Sequence, residues 1–370
     1  MRTVRYDEGT RMGSGALRIA VIASGGIGTE AIRAIGRRHD LTLTGLWVHS
    51  PAKVGVDAGE LAGGAPVGVV ATGALDDIIE AAPDCVVYAA SGPDLDAAAV
   101  PDYVRLLSAG INVVTTSSPG LVFPDAWVPH YAEAVRAASL KGGASLYASG
   151  LEPGFAGDQL AVLLSTLSST ITSIRTQEIF DYSEYPNTFM MFDVFGFGRP
   201  MDYAPLMSLG GSQRFAWGPP VHFVAAALGV ELDDIAETYE RVEAPRKLEV
   251  AAGIIEEGTC GAIRMETIGI VGGRPAIVIE HVNRMAVDIA PQWPVAARDG
   301  TYRVVIEGTP SLTCELTIGD GDSPGEDGMI ATTMRVVNAI PYVVAAPPGI
   351  HTALDLPVTA PLRPFLGLQT

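Results

Sequence analysis

Two groups of residues in this chain have the types and spacing that chemistry needs. The first is Ile22-Ala23-Ser24-Gly25-Gly26-Ile27-Gly28, set between an apolar run and a segment with helical spacing. Read as GxGxxG, it has alanine at the first position (Ala23) and glycine at the second and third (Gly25, Gly28). The middle glycine lets the backbone approach a diphosphate, and the last lets a helix pack close to its strand. The helix N-terminus then offers free N–H groups to the phosphates. The second group is acidic. Glu152 stands in Ser149-Gly150-Leu151-Glu152-Pro153-Gly154, and Glu178, Asp181, Ser183 and Tyr185 stand in Gln177-Glu-Ile-Phe-Asp-Tyr-Ser-Glu-Tyr185. A carboxyl group in a partly dry pocket has its pKa raised toward working pH, where it can give and take protons. Glu152 is the first candidate for that role; its structural alternative is to cap a helix beginning near Gly154, where an acid suits the dipole. Alternation puts Gln177, Ile179 and Asp181 on one strand face and Glu178 and Phe180 on the other. Asp181 and Tyr185 are then expected to leave the strand end toward a cleft, with a solvated strand face as the alternative.

A dinucleotide on the glycine turn must meet further residues. The second apolar run ends Trp47-Val48-His49-Ser50-Pro51-Ala52-Lys53, without the Asp or Glu that holds the ribose 2′-hydroxyl of NAD. Beside His49, Ser50 can donate a hydrogen bond and Lys53 can supply charge to a 2′-phosphate. NADP is therefore preferred and NAD stays open; a solvated turn is the plain alternative. Ser91-Gly92, after the fourth strand, and Thr115-Thr116, after the fifth, are expected to line the nicotinamide ribose, because open α/β sheets bind ligands at the carboxyl ends of their strands. Ordinary turn residues would look the same.

The elements that must position these groups follow from periodicity. Short apolar runs at 17–23, 41–49, 67–71, 84–90, 111–116 and 144–148 alternate with helical segments at 29–38, 75–82, 95–109 and 125–140. Continuous Val/Ile/Ala runs suit strands buried on both faces, which predicts a doubly wound parallel sheet of Rossmann type over 17–150. Residues 1–16 are expected to be a flexible extension. Over 151–328 the texture changes: a helix at 158–168, then alternating strands at 171–181, 261–271, 276–287, 302–307 and 312–318, with Gly272-Gly273 as a hairpin turn. This second lobe is expected to be an α+β domain with a mostly antiparallel sheet, for substrate and dimerisation. The acidic, glycine-rich stretch 319–328 reads as a surface loop; it lacks the twelfth-position glutamate of a calcium loop. A final helix at 330–340 belongs to a C-terminal segment, 329–370, expected to pack back on the first lobe.

Composition narrows the partners. With 42 Asp plus Glu against 24 Lys plus Arg, the net charge is −18, which repels nucleic acid and anionic membranes and leaves small neutral or cationic ligands open. Cys85, Cys260 and Cys314 are far apart and the six histidines are isolated, so neither a disulfide framework nor a metal site is expected. No apolar stretch is long enough for a membrane span and no signal peptide is visible, so a cytoplasmic location is expected. Ten aromatics crowd residues 180–217. Tyr182, Phe189 and Phe192 there, with Phe155, are candidates for a small hydrophobic pocket, the alternative being plain core or a dimer core. Arg175, Arg199, Arg214 and Arg264 form no evident cluster for a carboxylate substrate. His222 and His281 read as structural.

Several segments together resemble the dihydrodipicolinate-reductase-like superfamily, in particular 2,4-diaminopentanoate dehydrogenase and the related native amine dehydrogenases. They are Ala23–Gly28, Pro51–Gly55, Gly59–Leu61, Ile111–Thr116, Ser149–Phe155, and Asn338-Ala-Ile-Pro341 with Ala346–Gly349. The resemblance implies an NAD(P) lobe, with Asn338 and Pro341 added to the cofactor set. It also implies a substrate lobe whose sheet builds a homodimer, and reductive amination of a carbonyl compound with ammonia or the reverse oxidative deamination. The paired histidines and Pro-Ser-Gly-Thr stretch of true dihydrodipicolinate reductases are missing. So is the glutamate that amine dehydrogenases carry after the fifth strand, since Thr115–Pro124 holds no acid. Glu152, where relatives often have asparagine before Pro-Gly-Phe, is taken as its replacement by inference. The competing readings are an alcohol or sugar dehydrogenase, and a non-catalytic NADP-binding redox sensor.

Overall fold

The computed structural model describes residues 15–92, 95–319 and 324–362. The expected N-terminal extension lies outside it save for Gly15 and Ala16, as do Pro93 and residues 320–323 of the acidic loop. Strands β1 (Leu17–Ile22), β2 (Leu41–Trp47), β3 (Ala71–Thr72), β4 (Cys85–Tyr88), β5 (Asn112–Thr115) and β6 (Ser145–Ala148) form a parallel sheet in the order β6-β5-β4-β1-β2-β3. Alternate residues of β1 enter two different cores. Ile19 and Val21 pack with Ala31, Ile32 and Ile35 of α1 (Gly26–Gly36), while Ala20 and Ile22 face the side where α4 (Leu95–Ser108) and α5 (Pro129–Gly142) lie. Burial on both faces is why these strands are uninterrupted apolar runs. Two short helices, α2 (Ala58–Leu61) and α3 (Leu75–Glu80), complete the crossovers.

Two late elements join this sheet. Helix α8 (Pro324–Val344) puts Val336, Val337, Ala339, Ile340 and Val343 into the same core as α1, and β15 (Gly349–His351) pairs in parallel with β6. The helix is longer at both ends than the 330–340 its periodicity predicts. β15 is too short to show in the sequence. The expected run 67–71 is a strand only from Ala71, because Val67 and Gly68 donate their N–H groups to Asp57 instead of to a neighbouring strand.

The second lobe begins with α6 (Gln159–Ser165) and holds a six-stranded sheet. Its strands are β7 (Thr170–Asp181), β8 (Asp234–Glu243), β11 (Cys260–Val271), β12 (Arg274–Arg284), β13 (Thr301–Thr309) and β14 (Leu312–Thr317), in the order β14-β13-β7-β12-β11-β8. All neighbours are antiparallel except the central pair β7–β12. Gly272 and Gly273, both at positive φ (59° and 72°), make the tight turn joining β11 to β12, as expected. Strands β9 (Leu248–Val250) and β10 (Gly253–Ile255) form a separate small hairpin. Helix α7 (Ser212–Leu228) is not foreshadowed, since Gly218-Pro219-Pro220 reads as a break. It forms because Pro219, Pro220, Val221, Phe223 and Val224 are all buried, and that packing overrides the proline penalty.

Candidate active site

The carboxyl edge of the parallel sheet carries the glycine turn. Ala23 has φ 76°, a left-handed conformation that glycine adopts freely and alanine only at a cost of about 1–2 kcal/mol. Gly25 caps α1 in an extended conformation without any side-chain bond, and the first helical bond runs from Thr29 N–H to Gly25 O. The N–H groups of Gly26, Ile27 and Gly28 therefore have no intrahelical partner. A Cβ on Gly25 would meet nothing within 4 Å, whereas one on Gly28 would sit 2.0 Å from Ala23 O. Open space above uncapped N–H groups fits a diphosphate, and the forbidden Cβ shows why the third glycine is required.

Beyond β2, Lys53 lies in a short turn and its Nζ donates to Ser24 O (3.2 Å) and Ser24 Oγ (3.0 Å), with His49 and Ser50 exposed beside it. The structure thus gathers these residues at the glycine turn. Ser91 and Gly92 are exposed after β4, and Thr116 is half-buried after β5. Thr115 is different: its fully buried hydroxyl donates to Tyr88 O (3.0 Å) and contacts Tyr103 Oη (2.9 Å), so it is satisfied inside the lobe. Asn338 and Pro341 are not brought to the turn. Met329 of α8 lies against Gly26, and Asn338 accepts from Arg38 (3.0 Å), just past the far end of α1. Nine residues of helix, about 13 Å, separate Asn338 from Met329.

Past β6 the chain crosses between the lobes. Ser149 N–H bonds Thr115 O (3.1 Å), Ser149 Oγ donates to Gly154 O (3.1 Å), and Ala156 N–H bonds Leu151 O (2.8 Å). Asp158, not Glu152, caps α6, with its carboxylate accepting from Gly154 N–H (2.8 Å) and Gln159 N–H (2.5 Å). Burial pushes Asp158 up to about 6 against the pull of those N–H groups. Arg335 of α8 fastens the crossover, donating to Gln159 Oε1 (2.5 Å) and Gly154 O (3.4 Å), with its guanidinium 4.9 Å from the Phe155 ring centre.

This arrangement leaves Glu152 with only the backbone of Gly157 to meet its carboxyl. Its Oε1 is shut off from solvent and has no hydrogen-bond partner among the described residues. Oε2 lies directly over Gly157, where a Cβ would come within 2.1 Å. Burial first, then the charges of Asp158 and Glu178, hold its carboxyl well above the ordinary range. Leu151, Phe155 and Ala156 of the crossover pack with Phe180, Tyr182 and Tyr302 at the end of the second sheet. Tyr182 donates to Glu178 Oε1 (2.5 Å), and its ring lies 5.9 Å from the more exposed Tyr185. Burial, followed by Glu178, raises the Tyr182 and Tyr302 hydroxyls.

Asp181 is not part of this group. It has the parity of Gln177 and so faces the other side of β7, opposite Arg284, where its Oδ1 accepts from Ser183 N–H (2.8 Å). Phe189 is exposed, and Phe192 packs on Gly198 and Gly253 beneath Arg199, so of the four pocket candidates only Tyr182 and Phe155 share the cluster below Glu152. Phe195, Phe197 and Met191 of the aromatic segment are core. His281 is buried against Trp217 (ring centres 4.3 Å apart), and His222 stacks on Phe123. Tyr302, Asn283, Asp158 and Arg335 escaped the sequence reading. Strand parity could have found Tyr302, which pairs with Glu178; the others bear no local signal.

A parallel sheet with an uncapped glycine turn, joined through a crossover carrying a buried carboxyl to a second sheet lobe, defines a two-lobed dehydrogenase of Rossmann type. The chain belongs to the 2,4-diaminopentanoate dehydrogenase family, oxidoreductases acting on CH–NH2 groups: the family model for the 2,4-diaminopentanoate dehydrogenase C-terminal domain matches residues 155–364. An amine dehydrogenase of Streptomyces virginiae is 42% identical over 356 residues, covering 94% of this chain and 97% of that protein. A 2,4-diaminopentanoate dehydrogenase of Acetoanaerobium sticklandii is 26% identical over 297 residues, 78% of each. The solved amine dehydrogenase of Mycobacterium smegmatis has the same fold, with a TM-score of 0.77 at 20% identity over 94% of this chain and 98% of that one. This family membership displaces the alcohol dehydrogenase and sensor readings.

Proposed function

We propose that the protein is an NADP-dependent amine dehydrogenase that aminates small hydrophobic ketones or aldehydes with ammonia and, in reverse, deaminates the amine. The observation that carries this is Glu152: a buried carboxyl with an unpartnered oxygen, on the crossover leaving the carboxyl edge of the sheet. The turn Ala23–Gly28 would hold the diphosphate of the cofactor, whose nicotinamide would supply or take the hydride. In the oxidative direction Glu152 as carboxylate takes the proton from the substrate ammonium, leaving the neutral amine whose carbon can give up hydride. In the reductive direction Glu152 as acid protonates the carbinolamine hydroxyl, which departs as water and leaves an iminium. Phe155, Tyr182, Phe180 and Tyr302 keep bulk water from that iminium. Lys53 beside Ser24, with no acid at the end of β2, supports NADP over NAD. The open outer face of the second sheet, where Arg175 and Arg264 bridge Glu266 and Glu280, is the surface we assign to a homodimer.

NADPH absorbance followed with cyclohexanone or a short aldehyde, with and without concentrated ammonium at alkaline pH, tests the reading. Consumption that needs ammonium supports it; equal consumption without ammonium overturns it.

A further inference from the structure

Glu178 is held by side chains, whereas Glu152 meets only the backbone of Gly157. The register partners of Glu178 are His281 on β12 and Tyr302 on β13, so the three side chains stand in one row on the inner face of the second sheet. Glu178 Oε1 accepts from Tyr182 Oη (2.5 Å) and from Asn283 Nδ2 (3.2 Å). Donating its amide to Glu178 fixes which way Asn283 is turned. Asn283 Oδ1, on a side chain with no exposed surface, is then left without a partner among the described residues. Two such oxygens, Asn283 Oδ1 and Glu152 Oε1, accompany the Glu178 carboxylate, whose charge reaches Glu152. Buried acceptors without a partner favour a hydrogen-bond donor beside them, and the negative charge next to them favours a cation.

The titratable groups that act on Glu152, Tyr182 and Tyr302 are all acidic or neutral. The crossover contributes Glu152 and Asp158; β7 contributes Glu178, with Tyr182 and Tyr185 beyond it; β13 contributes Tyr302. From β12 comes His281, whose burial against Trp217 disfavours its charged form. Arg335, the cation that α8 brings to the crossover, is turned to Gln159 and Gly154.

Building on the amine dehydrogenase reading, we propose that Glu178 and Asn283 form the subsite that grips the substrate nitrogen as a cation, ammonium or iminium, while Glu152 carries the proton. The ammonium proton passes to Glu152, the hydride leaves for the nicotinamide, and the positive charge of the resulting iminium rests on Glu178 and Asn283 Oδ1.

The test is Glu178→Gln, assayed in both directions. Loss of a charged contact should raise the ammonium KM about tenfold or more and leave the carbonyl KM within about twofold. Removing a like charge should also move the acidic limb of amine oxidation about one pH unit lower. Glu178→Asp should restore most of both. A merely structural role would lower kcat and the melting temperature without moving the limb, and an unmoved limb with an unchanged ammonium KM overturns the subsite. Should Glu178→Gln fail to bind NADPH, Tyr182→Phe keeps the ring packing and removes only the hydroxyl. It should raise the ammonium KM about threefold, as for one lost hydrogen bond, and an unchanged value overturns the proposal. Wild-type turnover indifferent to ammonium sinks the amine reading itself. Ammonium-dependent wild type beside an unaltered Glu178→Gln sinks only the subsite.

Discussion

Glu152 Oε2 lies 2.1 Å from where a Cβ on Gly157 would stand, two residues before α6 begins at Gln159. Any side chain at 157 must push the carboxylate away. Gly157→Ala should cut turnover by about tenfold or more, since misplacing an acid–base group by about 1 Å is costly, while cofactor affinity stays near wild type. Single-turnover rates beside NADPH titration check this.

Glu152→Gln should lower turnover by about 10²–10⁴-fold, the usual contribution of a positioned acid–base group. It should also change how stability depends on pH. The folded protein holds the Glu152 proton well above the ordinary range, so the folded state binds more protons than the unfolded one. Stability is thus lost as pH rises from the unfolded pKa through the folded one. A neutral glutamine escapes that loss, so the variant should melt higher than wild type at pH 8 and show no such gain near pH 4. Equal melting curves at both would contradict the assigned burial.

At the glycine turn, Gly28→Ala places a methyl against Ala23 O, where only 2.0 Å is available. Either α1 separates from β1 or the turn opens, and both spoil the phosphate cradle. NADPH should no longer quench protein fluorescence, and the melting temperature should fall.

Lys53→Ala tests cofactor choice. Loss of a charge-assisted contact to a 2′-phosphate weakens NADPH binding about 10–100-fold, while NADH binding changes little. A proportional loss for both nucleotides would instead assign Lys53 to the turn through Ser24.

The parallel sheet was legible because burial on both faces leaves a plain signature, and the glycine turn because its steric needs allow few residues. The place of Glu152 on the crossover was legible because it follows β6, the last strand of the contiguous stretch. What the sequence could not show depended on pairing across long gaps. Asp181 and Glu178 are equally acidic neighbours in sequence, and only parity against β12 and β13 decides that Glu178 meets the crossover. Asn338 looked like cofactor machinery because of the motif around it, yet its partner is Arg38. Helix α7 was hidden by two prolines that burial tolerates.

Since α8 and β15 supply part of the first lobe's core and its outermost strand, that lobe is not a contiguous stretch of sequence. During synthesis the nucleotide-binding half must wait, incomplete, while the second lobe is translated. A fragment ending near residue 150 should accordingly expose the α1 face of its sheet and aggregate, whatever the quality of its glycine turn.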